Sequence, residues 1–348
     1  MAAPELPREE ESSASERLLE ALVLHQILLS RMAGGVAQEA TQELNRSEAR
    51  VGDAIRRRLG NARGIRRPSD LRRYDALLSV IKTARDEAFD GVRDRLLSDM
   101  EELARYESGF LSGLAEKLSG ENLLAPDRAI VRSIVRSRPF EGRVLRRWVE
   151  NLRQEDLRRI GAAIRLGMAA GENSDAIARR VVGTMRLRGR DGITQISRRN
   201  LESIVRTAVT HVDAEIDAEL IQMNPSVFDR ERFTAVLDTR TTPICRSLDG
   251  EVFPVGRGPR PPLHFNCRSR RVGIFVGDEV PAVPSYEQWL RNQPAALQVD
   301  ILGRTRAKLF RQGRLSLDRF VNRNGDQIPL RDLATREREA FRVAGIEL

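Results

Sequence analysis

In Ile221-Gln-Met-Asn-Pro225 and the residues that follow, Ser226-Val-Phe-Asp-Arg-Glu-Arg-Phe-Thr-Ala-Val-Leu237, the spacing of apolar side chains changes from helical to extended. A helical pattern runs to about Met223. Pro225 then closes it, because proline has no N–H to donate and its ring clashes with the preceding turn. Arg232–Leu237 alternates with the period of a strand, and Glu251–Pro254 and Arg270–Val276 read as two more. Turn formers lie between them: Thr241-Thr242-Pro243, Asp249-Gly250 and the loop Gly256-Arg-Gly-Pro-Arg-Pro-Pro262. Residues 198–278 are therefore expected to form a small α+β module with short antiparallel strands.

Upstream, little alternates with period two. Leu18, Leu19, Leu22, Val23, Ile27, Leu28 and Met32 recur at three- and four-residue steps and predict one apolar helix face. Gly34-Gly35 is expected to weaken or end that helix, and Gly60, Gly64 and Pro68 mark a break after Leu59. Ser69 or Asp70 can cap the next long helix. Further helices are predicted over 101–118, 126–137 and 141–167, from Asp175 to Met185 behind Ser174, and from Ser197 to Met223. Residues 14–197 thus read as a helical domain. Residues 1–13, with two prolines and an acidic run, read as disordered. Residues 279–348 read as a helical extension: Tyr286–Asn292, Ala295–Arg311 with a break near Gly303, and Leu330–Arg342, with a turn at Asn322-Arg-Asn-Gly325. The expected fold class is α+β, predominantly α-helical.

A chain of 348 residues, 41% hydrophobic and 31% charged, can bury a sizeable core. No run approaches the roughly 20 apolar residues of a membrane span, and the polar N-terminus lacks the apolar segment of a secretory signal. The cations are 56 Arg and only 3 Lys. Residues 127–206 hold 19 Arg, no Lys and 9 acids, a net of +10 in a chain whose total is +9. Such a block suits contact with DNA or with an acidic protein surface. Arg143, Arg146, Arg147, Arg158, Arg159, Arg179, Arg180, Arg198 and Arg199 are the expected contacts. The other reading is a solvated helix face, because Phe140 and Trp148 are too few for a stacking platform.

Both cysteines and one of the three histidines fall close together: Cys245, His264 and Cys267. His264-Phe-Asn-Cys267 brings two ligand types to one turn, as tetrahedral zinc sites often do, and Asp238 or Asp249 would supply the fourth ligand. A structural zinc, a Cys245–Cys267 disulfide and plain packing stay open, although a cytoplasmic setting disfavours the disulfide. Cys245 with His264 as base also outlines a nucleophile, but no oxyanion loop or protease signature accompanies it. Gly256-Arg-Gly258 leads into prolines and no G-x-x-x-x-G-K-[ST] occurs, so nucleotide binding is not supported. His25 and His211 sit among apolar helical neighbours and read as structural.

The order of these motifs resembles the Mu F-like minor head protein family of tailed phages. The matching residues are Ile204-Val-Arg-Thr-Ala-Val-Thr-His211, Phe233-Thr-Ala-Val-Leu-Asp-Thr-Arg240, Thr242-Pro-Ile-Cys245, Leu248-Asp-Gly250 and Pro261-Pro-Leu-His-Phe-Asn-Cys-Arg268. Ser285-Tyr-Glu-Gln-Trp-Leu-Arg-Asn-Gln-Pro294 and the run from Ile301 to Leu315 look like the extension that many members carry. Thr242 and Ser269 stand where the family often has further cysteines. The resemblance implies a structural, non-enzymatic virion component of few copies, associated with the portal inside the capsid and active in head assembly, DNA packaging or ejection. Its implied partners are the portal protein, other capsid proteins and packaged double-stranded DNA, with no membrane and with a homo-oligomer or ring as the expected state. Virion location, with host cytoplasm during assembly, goes with it. The alternatives are a DNA-binding internal protein ejected with the genome and, less favoured, an enzyme using Cys245 and His264. Some members carry an added toxin or transferase domain; none is expected here after the module.

Overall fold

The structure is a computed structural model that describes residues 12–60, 68–281, 284–322 and 327–346. The expected disorder over 1–13 and the expected turn at 322–325 fall almost wholly outside the described residues. Among the described residues the chain forms twelve α-helices, one 3₁₀ turn and a three-stranded sheet. It is a predominantly helical α+β protein.

The first helix, α1 (Ala14–Leu59), runs unbroken through Gly34-Gly35. The cost of about 1 kcal/mol per glycine is offset because Leu29, Ala33, Ala37, Ala40 and Leu44 continue a buried face across them. That face is rotated from the expected one. Leu18, Leu19 and Leu22 are buried, whereas Val23, Ile27, Leu28 and Met32 are exposed. Helix α2 (Pro68–Ser119) is likewise continuous and absorbs the separate helix expected over 101–118. Helices α3 (Arg128–Ser137) and α4 (Leu145–Ala169) follow, and Asp127 caps α3 by accepting from the Ile130 N–H. Helix α5 (Ser174–Val182) is capped by Asn173 rather than Ser174 and stops short of Met185, at Gly183. Helix α6 (Gln195–Met223) begins before Ser197, whose hydroxyl instead donates to the buried Asp156 carboxylate.

The described residues divide into two compact units that are not consecutive stretches. One comprises Leu28–Tyr106 and Asp127–Val212. Its core joins Val51, Ile55, Leu77, Ile81, Ile160, Ile164, Ile177 and Val181. Beside it the buried Arg85 donates to Asp156 and Ser47, 2.7 Å each.

The other unit comprises Met1–Ile27, Glu107–Pro126 and Asp213–Leu348 and holds the sheet. Strand β1 (Phe228–Thr234) lies between β2 (Val252–Pro254) and β3 (Arg270–Phe275), antiparallel to both, with Arg232 opposite Val252 and Val272. Strand β1 thus starts and ends earlier than the alternation predicted. Polar residues at 229–232 hid its first half, because Glu231 and Arg232 are buried charges. After Thr234 the ladder is replaced by a side chain, since the Ala235 N–H donates to Asp249 Oδ1 at 2.6 Å. Gly273 in β3 faces the Phe228 ring, where an added Cβ would sit 2.7 Å from a ring carbon.

A carboxylate organises this sheet. Glu231 on β1 is fully buried and accepts from Arg260 at 2.7 Å, from Arg271 at 3.1 Å and from the Gly256 N–H at 3.0 Å. Arg271 also donates to the carbonyls of Arg257 and Pro259, so buried charge pins the loop before His264. The threonine-proline turn leads into a short helix, α7 (Pro243–Leu248), with Pro243 in its first turn. The C-terminal helices α8 (Tyr286–Arg291), α9 (Ala295–Leu302), α10 (Arg304–Arg311), α11 (Leu330–Arg336) and α12 (Arg338–Val343) pack around Tyr286, Leu290, Phe310, Phe320, Leu333 and Phe341. Gly303, at positive φ, separates α9 from α10.

Candidate functional site

Cys245 enters the site from α7, and His264 and Cys267 from the turn before β3. In that turn the Cys267 N–H donates to the His264 carbonyl at 3.1 Å, and Asn266 adopts φ 59°. Asparagine tolerates this left-handed conformation better than most side chains. The three ligand atoms come together: His264 Nε2 lies 3.3 Å from Cys245 Sγ, and the two sulfurs are 3.8 Å apart. Thr242 Oγ1, at the start of α7, is 2.8 Å from the same Nε2.

His264 Nδ1 lies 2.9 Å from the Phe265 carbonyl. A carbonyl only accepts, so Nδ1 carries the proton and Nε2 turns its lone pair towards the sulfurs, the orientation seen in metal-ligating histidines. The hydrogen bond from Cys245, against the cost of burial and with help from His264, holds the Cys267 thiol well below the usual thiol range. The same bond, together with burial, pushes Cys245 up. One acidic thiol, one imidazole lone pair and a second thiol within reach of one point fit three corners of a tetrahedral zinc site.

Asp238 stands apart from this group. Its two oxygens accept from the two Nη atoms of Arg268, 2.7 Å each, and Oδ1 also accepts from the Arg240 N–H. The Arg268 fork holds its carboxyl well below the usual carboxylate range. The structure therefore corrects its expected role as fourth ligand: a carboxylate already paired in two-point geometry is not aimed at the sulfurs. Asp249 is also engaged elsewhere, accepting from the N–H groups of Ala235 and Tyr286, while burial raises its pKa. The Tyr286 hydroxyl, on the C-terminal helices, donates to the Asp238 carbonyl at 2.7 Å. Sequence reasoning missed Thr242, Asn266 and Tyr286. The asparagine before Cys267 was the available signal.

Residues 158–272, which include the whole cluster, match the family described as Phage Mu protein F like protein. This segment belongs to the phage Mu F-like family. With it comes a role among phage head-morphogenesis proteins, a structural class located in the virion and acting with other capsid proteins. No curated protein and no solved structure matches the chain. No described helix is long and apolar enough to cross a membrane.

The arginines in and before the Mu F-like segment separate into groups. Arg158 pairs with Glu155 at 2.6 Å, Arg159 lies 3.7 Å from Glu155, and Arg180 pairs with Glu172. Arg143 lies over the Trp148 ring, 4.7 Å from its centre. Arg146, Arg147, Arg179 and Arg199 are exposed, and their side chains make no hydrogen bond or ion pair among the described residues. Arg146 and Arg147 line an open cleft of about 290 Å³ with Phe89, Arg93, Glu150 and Arg153. Arg198 is a correction to the expected contact set. It is buried, and its guanidinium donates to Glu48 at 2.8 Å, Asn45 at 2.9 Å and the Gly189 carbonyl, so it has nothing left for a partner.

Proposed function

We propose that the protein is a minor head protein of a tailed phage that sits at the portal vertex inside the capsid and helps assemble it. The observation that carries this reading is the Mu F-like match over 158–272, the segment that contains the Cys245–His264–Cys267 cluster. Two surface features support a protein partner. Val23, Leu24, Ile27, Leu28 and Met32 form an exposed apolar stripe on α1, of the kind that marks association surfaces. Arg146, Arg147, Arg179 and Arg199 offer uncompensated guanidinium forks to acidic groups. Purified virions should contain the chain in few copies relative to the major capsid protein, and co-expressed portal protein should retain it. Virions that lack the chain would overturn the reading.

In this reading the cluster is a structural zinc site. Cys245, His264 and Cys267 would hold the ion, which ties α7 to the turn before β3; such sites contribute folding energy directly. Metal analysis of the purified chain tests this, with one zinc per chain expected and substoichiometric zinc counting against it. A second reading rests on the same exposed arginines: contact with packaged double-stranded DNA. Phosphate contacts release condensed counterions, so such binding would fall steeply with salt and show little sequence preference. Absence of DNA affinity at low salt would leave the protein partner as the use of that charge.

A further inference from the structure

A second group of ligand-type side chains lies away from the cysteines, in the unit that holds the sheet. His25 from α1, Glu107 from α2 and Asp213 from α6 are all buried, and their ligand atoms lie within 4.8 Å of one another. His25 Nε2 is 2.9 Å from both oxygens of Glu107, and the ring stacks on Phe110 with centroids 4.1 Å apart. Asp213 Oδ1 and Asp217 Oδ2 each accept from Arg270 Nη2 at a long 3.4 Å. Arg270 also donates to the Leu22 carbonyl. The other oxygen of Asp213, Oδ2, is buried with no hydrogen-bond partner among the described residues.

The charges do not close. Among the described residues four buried carboxylates, Glu107, Asp213, Asp217 and the neighbouring Glu231, share the three guanidiniums of Arg270, Arg260 and Arg271, which leaves one negative charge to be met by a proton or a cation. Burying an uncompensated carboxylate costs several kcal/mol. A proton on His25 would supply the missing charge and satisfy Glu107, but Asp213 Oδ2 would remain without a donor. A cation seated among the three groups satisfies all of them at once. We propose that His25, Glu107 and Asp213 bind a divalent first-row metal ion that staples α1, α2 and α6 together. One imidazole and two carboxylates form a donor set suited to manganese, iron(II) or zinc and, lacking sulfur, distinct from the thiol cluster. The inference is independent of the proposed role in the phage head.

The test is titration of Mn²⁺ into the metal-stripped full chain, followed by electron paramagnetic resonance. Mn²⁺ is chosen because thiolates compete poorly for it. One Mn²⁺ per chain is expected, unchanged in Cys245→Ser. In Glu107→Gln and Asp213→Asn, binding should weaken by more than the roughly tenfold to hundredfold that loss of an outer-shell partner costs. Bound Mn²⁺ in the wild-type chain should also show the nitrogen coupling of one imidazole in pulsed measurements, a readout that does not depend on the variants folding. A folded wild-type chain that takes up no Mn²⁺, or binds it without nitrogen coupling, overturns the proposal. Equal uptake by the folded Glu107→Gln chain also overturns it.

Discussion

Around the sheet, Arg270 and Arg271 are 2% and 1% exposed and pair with carboxylates buried beside them, Asp213, Asp217 and Glu231, whereas on α4 Arg146 and Arg147 stand in solvent with no ion-pair partner among the described residues. The two regions use one residue type for opposite ends. In the sheet, guanidinium forks replace apolar packing: Glu231 gathers Arg260, Arg271 and a loop N–H, and Arg271 covers the Phe253 ring at 4.7 Å. In the 127–206 block Arg146, Arg147, Arg179 and Arg199 face solvent with no ion pair among the described residues. The lesson is that net charge by segment says little about exposure, because a buried cation matched by a buried anion cancels in the count but carries much of the fold.

Breaking the sheet network should have the largest effect. Glu231→Gln leaves the buried Arg271 and the half-buried Arg260 without their carboxylate, and removing one partner of a buried ionic group costs about 3–5 kcal/mol. Denaturant unfolding of the full chain measures it. A loss below about 1 kcal/mol would mean that the arginines re-pair with water, and the contrast between the regions would shrink.

Zinc removal comes next. At a zinc concentration a hundredfold above Kd, binding to the native state adds about 2.7 kcal/mol. Thermal unfolding of the wild-type chain should therefore shift down on chelation, and Cys267→Ser should lose that response. An unchanged midpoint in the wild type would refute the zinc reading.

A smaller effect is expected at Asp238, whose pair with Arg268 is partly exposed. The carboxyl is depressed in the folded state, so it contributes stability above its ordinary value of 3.8 and loses it as pH falls through the folded value. Asp238→Asn should cost about 1 kcal/mol at neutral pH, and the two proteins should converge in strong acid. A deficit that does not narrow on acidification would assign the effect to packing instead.

The smallest stability effect belongs to the outward arginines. Arg146→Gln with Arg147→Gln should change stability by no more than about 0.5 kcal/mol while weakening capture by a co-expressed portal protein. A large loss of stability would show that these side chains serve the fold, and the comparison would fail.

Much of this is legible in the sequence. Scarce residue types at ordered spacings marked Cys245, His264 and Cys267, and the change of period at Pro225 marked the onset of the sheet. Helix α7 was not legible, because six residues are too few to display a period. The first half of β1 was hidden by its own buried charges. Periodicity puts Leu18, Leu19, Leu22, Val23, Ile27, Leu28 and Met32 on one face of α1 but does not tell which of them a neighbour covers, since an apolar face looks the same in sequence either way.

By itself, then, the sequence determined the helical character of the chain, the place of the strands to within a few residues and the candidate thiol ligands. These follow from local chemistry: periodicity, proline and turn residues, and rare ligand types close in the chain. Tertiary structure alone decided that Arg198 is buried and Arg199 is not, that Asp238 serves Arg268, and that His25, Glu107 and Asp213 meet. Those outcomes depend on which residues distant in the chain share a low-dielectric interior. No spacing within one segment encodes that, because the cost of burying a charge is set by the partner that arrives from elsewhere.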